Sequence, residues 1–260
     1  MAWLEVVILI VSGVLVGFIN TLAGGGTIIS LSALILLGLP ANIANGTNRI
    51  AVTIQTLTSV AVFRHHHVLD TKKGLRLGIP VIIGSVLGAE IATTLEEEVF
   101  EKIIGVIILL MMAFVIYKPS KWLKGQLHLQ NRKVTIWQYI LFFVMGIYGG
   151  FLHVGIGYFL LASLVLGAGY DLVKANAVKV LIVLMYAPFT LLVFMLHNEV
   201  NYKYGLILAV GNVFGALAAS KLSIKRGTGF VRWVMVVIIL VFSFHLLGVI
   251  DVKSMIGTDF

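Results

Sequence analysis

The chain has 260 residues, 60% of them hydrophobic and only 12% charged, with a mean hydropathy of +1.06. A soluble domain carries roughly 25% charged residues, so a water-soluble globular fold is excluded, and crossings of about 20 residues each leave no room for a separate soluble domain. The net charge of +8 is therefore read as a marker of cytoplasmic loops rather than of nucleic-acid binding, and the lack of cysteine removes disulfides, thiolate metal sites and cysteine nucleophiles.

The first apolar run has no basic stretch before it, which is not the pattern of a cleaved secretory signal, and it is expected to be retained. Apolar runs broken by charge, Gly and Pro predict five segments, 4–20, 27–39, 50–63, 75–93 and 99–117. A polar linker with Lys121, Lys124, Arg132 and Lys133 follows. Five more segments are predicted at 136–151, 157–166, 177–196, 204–222 and 230–247. The expected organisation is a first transmembrane repeat, 1–117, a basic cytoplasmic linker, 118–135, and a second repeat, 136–260. The second segment of each half is short for a bilayer about 30 Å thick and is entered through glycines.

A shift of 131 residues lays Gly24 on Gly155, Gly26 on Gly157, Asn45 on Asn176, His66 on His197, Lys72 on Lys203 and Gly84 on Gly215. These matches fall on Gly, Asn, His and Lys rather than on common aliphatics, so the halves read as copies of one unit. Equivalent loops carry opposite charge. Arg64, Lys72, Lys73 and Arg76 face a counterpart with only Glu199 and Lys203, while Glu96, Glu97, Glu98 and Glu101 face one with Lys225, Arg226 and Arg232. By the positive-inside rule the copies are then inverted, each with an odd number of crossings. Re-entrant hairpins at the short segments would instead give parallel copies, with Lys225 and Arg226 outside. The expected fold is an all-α integral membrane protein, multi-pass in the cytoplasmic membrane, built from two inverted repeats that each contain a broken, Gly-led helix. That architecture describes secondary transporters.

Asn20, Gly24, Gly25, Gly26 and Thr27 end one helix and begin another at membrane depth. Irregular backbone there is tolerated only where protein or a wet cavity surrounds it. The glycines permit either close approach of an anion to a helix N-terminus or only a tight turn and close packing. Gly155, Gly157 and Tyr158 repeat the feature, with His153 just before them as either a packed histidine or a group for substrate or protons.

At the start of the third segment of each half an amide is followed by a cation: Asn45, Asn48 and Arg49 in one, Asn176 and Lys179 in the other. Arg49 lies one position beyond Asn48, the match of Lys179. Cations inside a membrane are costly and functional by default, although snorkelling to the headgroups is the plain alternative. The adjacent His65, His66 and His67 cannot converge on one ion in a helix and read as a basic loop, and neither metal nor cofactor is expected. Gln55 and Asn212 are further polar candidates, and the Gly13/Gly17, Gly84/Gly88, Gly146/Gly150 and Gly211/Gly215 pairs suit helix packing.

The pattern Gly13-x3-Gly17-x6-Gly24 Gly25 Gly26, then Leu34-x3-Gly38 and Ala44 Asn45-x-Thr47 Asn48, with a weaker copy from Gly146 to Asn176, resembles the TauE/SafE family of membrane transporters. The resemblance covers nearly the whole chain. It implies export of sulfur-containing anions such as sulfite or organosulfonates. One departure is the second copy, His153 Val154 Gly155 Ile156 Gly157 Tyr158, where many relatives carry a fuller Gly run. No His-Glu-x-x-His, Gly-x-Ser-x-Gly or paired intramembrane carboxylates are present, so an enzyme is not expected. The leading reading is a secondary transporter binding a small anion at the repeat interface, and an anion or small-solute channel of the same architecture is the alternative.

Overall fold

A computed structural model describes residues 3–96, 98–100, 102–103 and 134–246, and within them the regular structure is entirely helical. In chain order the helices are α1 Trp3–Leu22, α2 Thr27–Leu36, α3 Ala41–His65, α4 Thr71–Thr93, α5 Ile136–Phe151, α6 Ile156–Ala162 with a π-helical turn Ser163–Gly167, α7 Leu172–Leu196 and α8 Tyr202–Leu246. Among the described residues, four stretches are long and apolar enough to cross a membrane: α1, α4, α7 and residues Tyr202–Met235 of α8. Helix α3 is as long as α7 but carries a polar first half.

The packing is that of helices in lipid. Leu75, Ile79, Ile83, Leu87 and Ile91 recur every fourth residue of α4 and are exposed, while Gly74, Gly78, Gly84 and Gly88 on the other side are buried. Lipid is as apolar as leucine, so the large side chains face outward and small residues let backbones approach. A methyl group added to Gly17 would overlap the Asn212 carbonyl oxygen, and one on Gly150 would overlap that of Ser85. The predicted glycine pairs are thus helix-packing positions.

Contacts fix the helix directions. Gly13 meets Leu208 and Gly17 meets Asn212, so α1 and α8 are parallel; Gly84 meets Phe143 and Gly88 meets Ile147, so α4 and α5 are parallel. Gly46 near the start of α3 touches Phe194 near the end of α7, whereas Phe63 at the end of α3 clusters with Ala177 and Val180 at the start of α7. Helices α3 and α7 are therefore antiparallel. The first helix of each half packs against the fourth helix of the other.

Several boundaries differ from expectation. The third segments, predicted to begin at Ile50 and Ala177, begin at Ala41 and Leu172. The polar run from Asn45 to Arg49 resembles a loop in sequence, but it is buried helix, with Asn45 and the Arg49 guanidinium bonded to carbonyls of α5. Asp171 caps α7 by accepting from the Val173 and Lys174 amides. The segments predicted at 204–222 and 230–247 form one element interrupted at Gly227, whose φ of 70° and ψ of −168° are not helical. The predicted segment 99–117, beyond Ile103, and the linker up to Lys133 lie outside the described residues.

Polar contacts join the halves at each end of α3 and α7. At one, the Tyr170 hydroxyl donates to Asp70 Oδ2 at 2.6 Å; at the other, Asn42 Nδ2 donates to Glu199 Oε1 at 3.0 Å. Partial burial raises the Glu199 carboxyl above its ordinary value, against the opposing pull of Asn42 and His197. A carboxyl raised on folding favours the folded state most below its unfolded value and loses that contribution as pH rises through the folded one. Glu199→Gln should therefore leave the thermal midpoint of detergent-solubilised protein unchanged near pH 4 and raise it at pH 7. A lower midpoint at pH 7 would show that the charged form of Glu199 is the stabilising one.

Candidate functional site at the junction of two broken helices

Helix α1 stops at Leu22 and α2 starts at Thr27 because Gly24, at φ +98°, turns the chain through a conformation that side chains resist. Asn20 spans the break: its Oδ1 accepts from the Gly26 amide at 2.7 Å, and its Nδ2 donates to Thr27 Oγ1 at 3.2 Å. Helix α5 stops at Phe151 and α6 follows Gly155, which is left-handed at φ +70°. The Tyr148 hydroxyl donates to the Val154 carbonyl and holds this second break in place.

The two breaks touch. A methyl group on either Gly24 or Gly157 would overlap the Cα of the other. The Tyr158 ring lies over Gly25, whose added methyl would come within 2.6 Å of Cε2 and 2.8 Å of the hydroxyl oxygen. Of the five glycines predicted in the breaks, Gly24, Gly25 and Gly157 thus sit at one crossing, Gly26 lies against Asn20 and Val16, and Gly155 makes the left-handed turn into α6.

The cations reach this crossing from opposite halves. Lys179 donates to the Asn20 carbonyl at 2.9 Å, the Thr21 carbonyl at 3.0 Å and Asn176 Oδ1 at 2.9 Å. Arg49 donates to the carbonyls of Gly149 and Gly150, both at 2.7 Å, and to Asn45 Oδ1 at 3.4 Å, while Asn45 Nδ2 donates to the Phe151 carbonyl at 3.0 Å. Each cation, carried on the third helix of one half, therefore closes the first helix of the other. Carbonyls at a helix C-terminus lack intrahelical donors, which explains why a buried lysine and a buried arginine are tolerated.

Those termini do not neutralise the cations, since each carries the equivalent of only about half a negative charge. No Asp or Glu is fully buried among the described residues. His153, buried on the second break, pairs through Nδ1 with the Tyr186 hydroxyl at 2.9 Å and lies within electrostatic reach of both Arg49 and Lys179. Several polar atoms here are buried and without a hydrogen-bond partner: Arg49 Nε, Asn176 Nδ2, and both Nδ2 and Oδ1 of Asn48. The junction therefore offers spare donors and positive charge.

The sequence singles out both cations but offers them only an anion or the lipid headgroups; their seats on helix C-termini depend on pairings across about half the chain. It also passed over Tyr186, the partner of His153. Tyr186 matches Gln55 under the 131-residue shift, and Gln55 is itself bonded, accepting from Asn212 Nδ2 at 3.1 Å. A polar residue at the same place in both third segments was the available signal. No group of His, Cys, Asp and Glu among the described residues is arranged to hold a metal ion, and His65, His66 and His67 lie exposed at the end of α3.

A family profile described as "Sulfite exporter TauE/SafE" matches residues 9–246. Similar curated proteins include "Probable membrane transporter protein ORF9" of a Sinorhizobium species, 25% identical over 92% of this chain and 91% of its own length. Another is a "Probable membrane transporter protein" of Haemophilus influenzae, 27% identical over 88% of this chain and 89% of its own. A third is the "Probable membrane transporter protein YfcA" of Escherichia coli K12, 27% identical over 90% and 86%. No solved structure gives a significant match.

Proposed function

Because the chain belongs to the sulfite exporter TauE/SafE family, a family of multi-pass membrane transporters, we propose that it is a secondary transporter that exports a small sulfur-containing anion, sulfite or an organosulfonate, across the cytoplasmic membrane. The observation that carries this reading is the Gly24–Gly157 junction, where two buried cations stand without a buried carboxylate and several donors lack partners. A tetrahedral or pyramidal oxyanion suits such a site, since several donors can share its oxygens and charge-assisted bonds are the strong ones. The substrate-binding set is Asn20, Gly24, Gly25, Gly26, Thr27, Asn45, Asn48, Arg49, His153, Gly155, Gly157, Tyr158, Asn176 and Lys179.

The reading of two inverted copies is supported by the antiparallel run of α3 and α7 and by the reciprocal capping across the junction. Alternating access follows as one half rocks against the other, because the capping bonds, the Tyr170–Asp70 bond and the Asn42–Glu199 bond all cross between halves. A transporter that must break one end at a time needs such separable contacts.

Purified protein in liposomes should take up or release radiolabelled sulfite or taurine with saturable kinetics, and unlabelled substrate on the far side should accelerate exchange. Flux that rises linearly with concentration and shows no exchange would favour a channel. Saturable flux of a cation or a carboxylate, with no sulfur anion competing, would overturn the substrate class.

A further inference from the structure

Asn48 is fully buried, yet neither its amide nitrogen nor its amide oxygen has a hydrogen-bond partner. Whichever way the amide is turned, it offers one donor and one acceptor, and leaving both unmet would cost more than replacing the residue with an apolar one. It lies one turn beyond Asn45 on the same face of α3, at a spacing of three residues, and is the residue next to Arg49. Both of those side chains end on the carbonyls of α5 at the junction. Under the 131-residue shift Asn48 occupies the place of Lys179. One half thus puts a pure donor where the other puts a residue that also accepts.

The other unpartnered atoms at the junction, Arg49 Nε and Asn176 Nδ2, are donors; among them Asn48 Oδ1 is the acceptor. A bare oxyanion, all of whose oxygens accept, would satisfy the donors and leave that oxygen stranded. We propose that Asn48 is a specificity-determining residue that reads a hydrogen-bond donor beside the charged group of the substrate, so that the site prefers a monoanion bearing an O–H or N–H next to its bare oxygens over one that bears none. Hydrogen sulfite and a hydroxyalkyl sulfonate share this chemistry. The assignment rests on the anion reading of the junction. A site built around a hydrogen bond rejects analogues that cannot complete it, because the protein group is then buried unpaired.

Hydroxymethanesulfonate and methanesulfonate have the same charge and differ by one hydroxyl, so their binding to the purified full-length protein in detergent, measured by calorimetry, tests this directly. Wild-type protein should bind the hydroxylated sulfonate at least tenfold more tightly. Asn48→Leu should bring the ratio close to one, chiefly by losing affinity for the hydroxylated sulfonate. Asn48→Lys, which copies the other half, should invert the preference. Equal binding of the two sulfonates by wild-type protein overturns the proposal and leaves the anion reading standing, as does an unchanged ratio in Asn48→Leu, the outcome if Asn48 holds only a water molecule. 2-Hydroxyethanesulfonate against ethanesulfonate repeats the comparison at equal charge and one carbon longer on wild-type protein, so the proposal stays open to refutation even if neither variant folds. Failure of wild-type protein to bind any of the four overturns the anion reading and this proposal with it.

Discussion

Gly157→Ala is expected to prevent the chain from reaching its folded state, although a single methyl group is all that changes. The new carbon would overlap the Cα of Gly24, which is backbone and not the yielding tip of a side chain. Overpacking against side chains typically costs about 1–3 kcal/mol; here the obstacle is a turn fixed by the Gly24 amide bonding to the Ile19 carbonyl at 3.1 Å and the Gly26 amide bonding to Asn20. The cost should therefore exceed that range. Gly24→Ala should fare no better, since it adds a left-handed φ of +98° to the same overlap. Gly38→Ala separates the two effects, because Gly38 has a φ of +89° but no atom within 4 Å of an added methyl. It should lose only about 1–2 kcal/mol, the left-handed penalty of a non-glycine residue. Size-exclusion profiles and thermal midpoints in detergent would decide between them. A Gly157→Ala protein that melts within a degree or two of wild type would mean that the two broken helices do not meet.

The glycines of this crossing were visible in sequence, and so was their recurrence 131 residues on, but not that Gly24 of one half rests on Gly157 of the other. Local patterns announce that a chain breaks; they do not say what lies against the break. The same division holds elsewhere. The bounds of α5 were legible to the residue because an apolar run follows Thr135 and ends in Gly149, Gly150 and Phe151. The start of α3 was not, because Asn, Gly and Thr in succession carry the propensities of a loop, and only burial against α5 and α8 makes that run helical. A soluble protein would bury the leucines of α4 and expose its polar positions, whereas here small and polar residues turn inward and the apolar stripe turns to lipid.

Lys179 carries the second large prediction, because its ammonium has two separable roles. It closes α1 by bonding to the carbonyls of Asn20 and Thr21, and in the proposed mechanism it supplies charge to the anion. Lys179→Met removes both. Two buried carbonyls then lack donors, each at about 1–3 kcal/mol, offset in part because a buried charge no longer needs to be desolvated. The thermal midpoint should fall by several degrees while some protein still folds. If capping were the only role, the folded fraction would bind sulfite or taurine as wild type does. If the charge is used, affinity per folded molecule should drop at least a hundredfold, equivalent to roughly 2.7 kcal/mol. Lys179→Arg keeps the charge but replaces a compact ammonium by a planar fork that fits three converging oxygens poorly, so it should recover much of the stability and only part of the affinity. Arg49→Met probes the other half, where Nη1 and Nη2 cap α5 and Nε is left over. Matching losses in the two variants would place both cations on one anion. A hundredfold loss for one and none for the other would assign the anion to a single half and reduce the second cation to a cap, which is what the difference between Asn48 and Lys179 at equivalent positions makes worth measuring.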